Sequence, residues 1–123
     1  MSVETNGDWA ARVAGHRLAN VRVIHQPGID SYISEVERQE GLFDIIVIDG
    51  LERLRCAAAA VSRLTPSGVI VWDNSEEPVF QSARTQIDGI RDMRELCFSG
   101  FGPCCTWTWS TSVLYRPDNC VGI

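Results

Sequence analysis

The spacing of apolar residues changes period several times along this chain. Ser2 to Glu4 is a short strand-like stub. Asn6 suits a helix cap, and the residues after it set Trp9, Val13 and Leu18 on one face. Val21 to His25 (VRVIH) is rich in β-branched residues and predicts a strand. Asp30 or Ser31 can cap a second helix with Ile33 and Val36 inward, and Gly41 fits its C-terminal end.

FDIIVIDG, Phe43 to Gly50, contains the unbroken apolar run Ile45 to Ile48. Such a run bounded by turn signals predicts a parallel strand covered on both faces. Leu51 to Leu64 predicts a helix, with Leu54, Ala57, Ala58, Val61 and Leu64 at helical spacing. Thr65 to Gly68 (TPSG) predicts a turn, and Gly68 to Trp72 the next buried strand. Pro78 fits the first position of a further helix, with Glu76 and Glu77 near its positive end. Phe80, Ala83, Ile87 and Ile90 give that helix an apolar stripe.

Met93 to Phe98 is strand-like, and SGFGPCC is a loop. Thr106 to Arg116 then alternates, with Trp107, Trp109, Thr111, Val113 and Tyr115 on one face. Two successive strands without a helix between them predict an antiparallel pair closing the sheet. The alternation before them predicts an α/β fold with a mostly parallel sheet. Ligands of such sheets bind at the carboxyl ends of the strands. Glu4, Asp49, Asp73 and Asn74 all stand at such ends.

GVIVWDNSEEP, Gly68 to Pro78, concentrates the problem. A buried strand runs straight into a carboxylate and a carboxamide, which either cap the next helix or face a ligand. Ser75, Glu76 and Pro78 already supply helix-starting signals, which frees Asp73 and Asn74 for the rim of the sheet.

Composition narrows the partners. The chain has 123 residues, enough for one domain, with 45% hydrophobic and 22% charged residues. The net charge is -5, Lys is absent, and the 11 basic residues are scattered Arg. That gives a nucleic-acid partner little electrostatic support. No apolar stretch is long enough to span a membrane, and MSVETNGDW has no signal-peptide pattern. The five Cys (56, 97, 104, 105 and 120) show no CxxC spacing, and the two His, 16 and 25, give no zinc pattern. Reduced thiols and a cytoplasmic location are the expectation.

Each candidate residue has a plain reading and a chemical one. Glu4 can accept ribose hydroxyls or be an exposed residue near a terminus. Asp49, Asp73 and Asn74 offer several oxygens, which suit Mg²⁺ or Ca²⁺, or they form turns and caps. His25 is either a base at the rim or a hydrogen-bonded structural residue. Trp107 and Trp109 suit an acceptor pocket, an oligomer interface or core packing. Arg53 and Arg55 are solvated helix charges or contacts to an anionic acceptor.

The runs SVETNGDWAARV, FDIIVIDGLERLRCAAAAVSRL, GVIVWDNSEEPVF, SGFGP and STSVLYR, in this order, resemble the later two-thirds of a class I S-adenosylmethionine-dependent methyltransferase. They are most similar to a bacterial branch ending in a G-x-P loop and a T-S-aliphatic-aromatic-R strand. The resemblance spans essentially the whole chain and implies a Rossmann-like sheet with an antiparallel C-terminal pair.

It implies that Glu4 binds the cofactor's ribose and that Gly28, Ile29 and Asp30 contact its adenine. Asp49 lies near the methionine moiety, the reacting methyl or a metal, and is the catalytic candidate. In catechol-type O-methyltransferases the equivalents of Asp49, Asp73 and Asn74 hold Mg²⁺, which orients an acceptor hydroxyl and lowers its pKa.

The same resemblance exposes a departure. The family's first strand and its Gly-rich cofactor loop have no counterpart, so the expectation is a single truncated domain over residues 1–123. Removing a central strand leaves apolar strand edges to be covered. Re-pairing of the sheet, a second copy or a separate polypeptide would cover them, and a homodimer or higher homo-oligomer is expected. The expected function is methyl transfer to an unidentified acceptor, with a hydroxyl as the candidate nucleophile. The alternative is an inactive methyltransferase-like module that oligomerises or binds a partner. DIIVIDG also resembles the phosphorylation strand of a receiver domain, but receivers need a Lys, and this chain has none.

Overall fold

The computed structural model describes residues 1–16, 19–102 and 106–123. The chain divides into two compact units, Met1–Gln39 and Glu40–Ile123. Among the described residues no helix is long and apolar enough to cross a membrane.

The first unit pairs β1 (Ser2–Glu4) with β2 (Val23–His25) in parallel. Between them lies α1 (Gly7–Ala14), started by Asn6, whose Oδ1 accepts the backbone N–H groups of Asp8 and Trp9. That is the expected cap. The expected apolar face is not covered, because Trp9 and Val13 are exposed and only Ala10 of α1 is buried. The Arg12 guanidinium instead lies 5.4 Å from the centre of the Trp9 ring. Leu18, expected on the same face, lies outside the described residues.

α2 (Ile29–Ser34) begins two or three residues earlier than a cap at Asp30 or Ser31 implied. Gly28 is its N-cap, while Asp30 and Ser31 lie in its first turn. The Ser31 hydroxyl donates back to the Gly28 carbonyl at 2.8 Å, a local use that competes with capping. A 3₁₀ turn (Glu35–Arg38) follows and buries Glu35. Its carboxylate accepts from Gln26 Nε2 at 2.7 Å and Gln39 Nε2 at 2.5 Å, as a buried charge requires.

The second unit is a four-stranded sheet in the order β3-β4-β6-β5. β3 (Phe43–Ile48) and β4 (Leu64–Asp73) are parallel, while β6 (Thr108–Tyr115) is antiparallel to both β4 and β5 (Arg94–Phe101). The antiparallel pair is as expected, with β6 inserted between β4 and β5. β5 also continues through Ser99–Phe101, which the loop SGFGPCC was expected to occupy. Pro103, Cys104 and Cys105 of that loop lie outside the described residues.

α3 (Arg53–Val61) is shorter than the apolar spacing implied, because Leu64 already starts β4. The register jumps from Phe43↔Leu64 to Ile45↔Val69, so TPSG is an irregularity inside the strand and not a turn before it. Gly68 permits this, since a Cβ there would come within 2.5 Å of Leu64 Cγ. α4 (Pro78–Gln86) starts at Pro78 as expected. Its stripe is buried from Phe80 and Ala83 through Ile87 and Ile90, the last two beyond the helix end.

The core lies on one face of this sheet. Ile48, Ile70, Trp72 and Leu114 are buried there, and Trp72 meets Phe80 edge-on with ring centres 5.5 Å apart. On the opposite face β3 is open. Val47 is 61% and Ile45 52% exposed, so β3 is covered on one face where an unbroken apolar run predicted two, although Val69 of β4, opposite Ile45, is buried. β6 alternates as expected, but its buried positions are Ser110, Ser112 and Leu114. Trp109, Thr111, Val113 and Tyr115 form its half-exposed side. Ser112 remains buried because its hydroxyl donates to Glu95 Oε1 at 2.7 Å and sits 2.8 Å from Ser75 Oγ.

Candidate functional site

In the first unit, the parallel register sets Glu4 opposite His25 at the carboxyl ends of β1 and β2. Glu4 Oε1 accepts the Asn6 backbone N–H at 2.9 Å, so the carboxylate is fixed by the same turn that starts α1. Gly28, Ile29 and Asp30 are exposed where the chain leaves the carboxyl end of β2 for α2. His25 Nε2 lies 3.2 Å from the Thr5 carbonyl, a structural hydrogen bond. The ribose and adenine candidates thus share one end of one small sheet.

In the second unit, Ile48 pairs with Trp72, which brings Asp49 and Asp73 side by side at the carboxyl rim. Their side chains are close enough to perturb each other's acidity. Asp73 Oδ1 also accepts from Thr111 Oγ1 at 2.8 Å and Trp109 Nε1 at 3.2 Å. β6 supplies both donors because Asp73 pairs with Thr111, and residues two apart on a strand share a face.

The two carboxyls are driven apart in acidity. Partial burial, then the hydrogen bond and charge of Asp73, raise Asp49 above the ordinary 3.8, against a lowering pull from Arg53. Burial also pushes Asp73 upward. The donors Thr111, Trp109, Asp49 and the Asn74 backbone N–H outweigh it and hold Asp73 below 3.8. Asp49 is therefore the member of the pair that keeps a shared proton longest.

Asn74 completes the expected trio, in the left-handed backbone region at φ 57°. Its Oδ1 accepts from Arg53 Nη2 at 2.6 Å, and Arg53 Nη1 lies 3.0 Å from Glu77 Oε2. Glu52, just before Arg53, is the other described non-glycine residue in that region, at φ 51°. Gly50, Leu51, Arg53, Leu54 and Val79 border an open hollow of about 580 Å³ beside this rim.

A divalent ion would need free oxygens from Asp49, Asp73 and Asn74. The Asn74 carboxamide oxygen instead accepts from the Arg53 guanidinium, and Asp73 Oδ1 accepts from Thr111 and Trp109. Among the described residues, no three or more His, Cys, Asp and Glu side chains form a metal-holding group. Hard cations need several oxygens free at once, so this donor set does not fit Mg²⁺ as it stands.

Sequence reasoning missed Thr111 at the rim, and offered Arg53 as an acceptor contact and Trp109 as part of an acceptor pocket only beside plainer readings. A solvated helix charge does not describe Arg53, whose side chain is only 18% exposed. The alternation in TWTWSTSVLYR marked Trp109 and Thr111 as sharing a face. Only the β4–β6 register shows that Asp73 lies on that face. Ser75 and Glu76, expected at the start of α4, are tied to β6 as well. Ser75 N–H donates to the Ser110 carbonyl and Glu76 Oε2 accepts the Ser110 N–H, each at 2.9 Å.

Solved structures similar in fold to this chain include methyltransferases. N-methyltransferase NodS from Bradyrhizobium japonicum WM9 matches 94% of this chain at a TM-score of 0.60 and 10% identity, over 72% of its own length. A putative rRNA-methylase from Clostridium thermocellum matches 92% at 0.61 and 8% identity, over 70% of its length. The fold is that of the class I methyltransferases.

The O-methyltransferase TomG from Streptomyces achromogenes, in complex with SAM, shares that methyltransferase fold over 94% of this chain, at 0.55 and 16% identity. This chain spans 60% of TomG's length. No protein-family model and no curated protein matches the sequence.

Proposed function

We propose that this chain is an S-adenosylmethionine-dependent methyltransferase acting on a hydroxyl or similar nucleophile. The observation that carries this reading is the Asp49–Asp73 pair at the carboxyl rim of β3 and β4, in a methyltransferase fold. Glu4 would accept the ribose hydroxyls, with its Oε1 already fixed by Asn6. Gly28, Ile29 and Asp30 would line the adenine. Bound there, the cofactor supplies an electrophilic methyl group on its sulfonium.

The chain's own residues supply positioning and a proton acceptor. In its ionised form Asp49 would take the proton of the acceptor, and the bound cofactor would supply the methyl group to the acceptor oxygen. Asp73 would stay ionised under its donors Thr111 and Trp109. Such a step depends mainly on in-line positioning, with the proton acceptor contributing about 10²–10⁴-fold.

Isothermal titration with S-adenosylhomocysteine tests this reading. Saturable heat, weakened by Glu4→Ala, is expected. No heat and no thermal shift at millimolar ligand would overturn it.

A second reading has its own observation. β3 has no partner strand on its outer edge among the described residues, and it exposes Ile45 and Val47. Open apolar edges are templates for pairing. On this reading the chain is a methyltransferase-like module without activity that pairs with a second copy. Light scattering would then give a homodimer, and a monomer that binds the cofactor would refute it.

A further inference from the structure

We infer that Arg53 is the resident counter-cation of the acidic rim, its guanidinium bridging Asn74 and Glu77 where a divalent ion would otherwise sit, so that acceptor positioning here needs no Mg²⁺. The inference rests on reading this rim as the acceptor end of the sheet.

Three observations lead to it. The first is geometry. Nη2 donates to Asn74 Oδ1 at 2.6 Å and Nη1 pairs with Glu77 Oε2 at 3.0 Å, so one planar fork spans the end of β4 and the start of α4. A guanidinium is suited to this, since it presents several fixed donors and keeps its charge. The second is the commitment of the ligand set. Asn74 cannot give its carboxamide oxygen to a metal while it accepts from Arg53.

The third is local sequence, which argues against placing a cation here. Arg53 is the first residue of α3, at the helix's positive end, with no acidic residue in the first turn. A cation there is disfavoured by the helix dipole. Glu52 before it adopts a left-handed conformation, and Arg53 Nε is buried without a partner among the described residues. Each feature is unfavourable alone. Breaking several local rules at one residue is expected where a site, and not the helix, sets the choice.

The arrangement also predicts a latent metal site. With Arg53 truncated, Asn74 Oδ1 is released and the carboxyl of Asp49 loses the pull of the Arg53 charge. Those three residues would then offer the oxygens a hard cation needs.

The test is a titration of the full chain with Mn²⁺ alone, followed by electron paramagnetic resonance and without cofactor. Wild type is expected to show no saturable binding into the millimolar range. Arg53→Ala is expected to bind about tenfold more tightly or better, and Asp73→Asn in that background to abolish the gain. Arg53→Gln, which keeps a donor for Asn74 without the charge, is expected to gain less. Circular dichroism checks that each variant is folded. Saturable Mn²⁺ binding to wild type that Asp73→Asn removes would overturn the inference, as would a folded Arg53→Ala with no gain. If the truncations do not fold, the wild-type titration still decides. Failure of cofactor binding would sink the functional reading without changing this titration.

Discussion

The two carboxylate-bearing strand ends differ in what holds them. Glu4 is fixed by the N–H of a residue two positions later, inside a local turn. Asp73 is fixed by Trp109 and Thr111, on a strand 36 and 38 residues away, and by Asp49 across a parallel pairing. A locally built position can tolerate loss of its side chain. A position built from distant donors leaves all of them unsatisfied when its acceptor is removed. Experiments on the two ends should therefore diverge.

The largest divergence is in the chemistry. Asp49→Asn should cost about 10²–10⁴-fold in methyl transfer while leaving S-adenosylhomocysteine affinity within a small factor. Glu4→Ala should do the reverse, weakening the cofactor with little change in the rate at saturation. The split between kcat and KM checks both. If the two variants behave alike, the ends do not have separate roles.

Stability should diverge next. Asp73→Ala strands the donors of Trp109, Thr111 and Asn74 and should cost about 2 kcal/mol in urea unfolding. Thr111→Val removes one of those donors and should cost about 1 kcal/mol. At the other end, Asn6→Ala removes a helix cap, about 1 kcal/mol, and Glu4→Gln should cost only a few tenths of that. A Glu4 variant as damaging as Asp73→Ala would break the comparison.

The smallest effect is on pH dependence, and its sign differs between partners. Asp49 is raised above 3.8, so its contribution is present below 3.8 and is lost as pH rises through its folded value. Asp73 is lowered, so its contribution is present above 3.8 and is lost as pH falls through its folded value. Asp73→Asn removes a like charge beside Asp49, and should move the Asp49 carboxyl downward in an NMR titration. An unchanged or higher value would contradict the pairing.

The same contrast of local and distant explains what could be read in the sequence. Asn6 as a cap, Pro78 as a helix start, the strand at Ile45–Ile48 and the placement of Asp49 and Asp73 at strand ends follow from neighbours in the chain. The open face of β3 does not, because an apolar run says nothing about what covers it. Leu64 continued a helical stripe yet belongs to β4, where pairing with Phe43 overrides the pattern. Arg53, Trp109 and Thr111 entered the site through register and crossover, which spacing does not encode. Asp30 and Ser31 were misread as caps because Gly28 takes the N-cap position without a side-chain bond.

The central claim is that the proposed cofactor residues Glu4 and Gly28–Asp30 at the carboxyl ends of β1 and β2 bind S-adenosylmethionine. Amide chemical-shift mapping with S-adenosylhomocysteine tests it most directly. The expected result is saturable shifts at Glu4, Asn6 and Gly28–Asp30. Shifts confined to β5 and β6, or none at millimolar ligand, would contradict it.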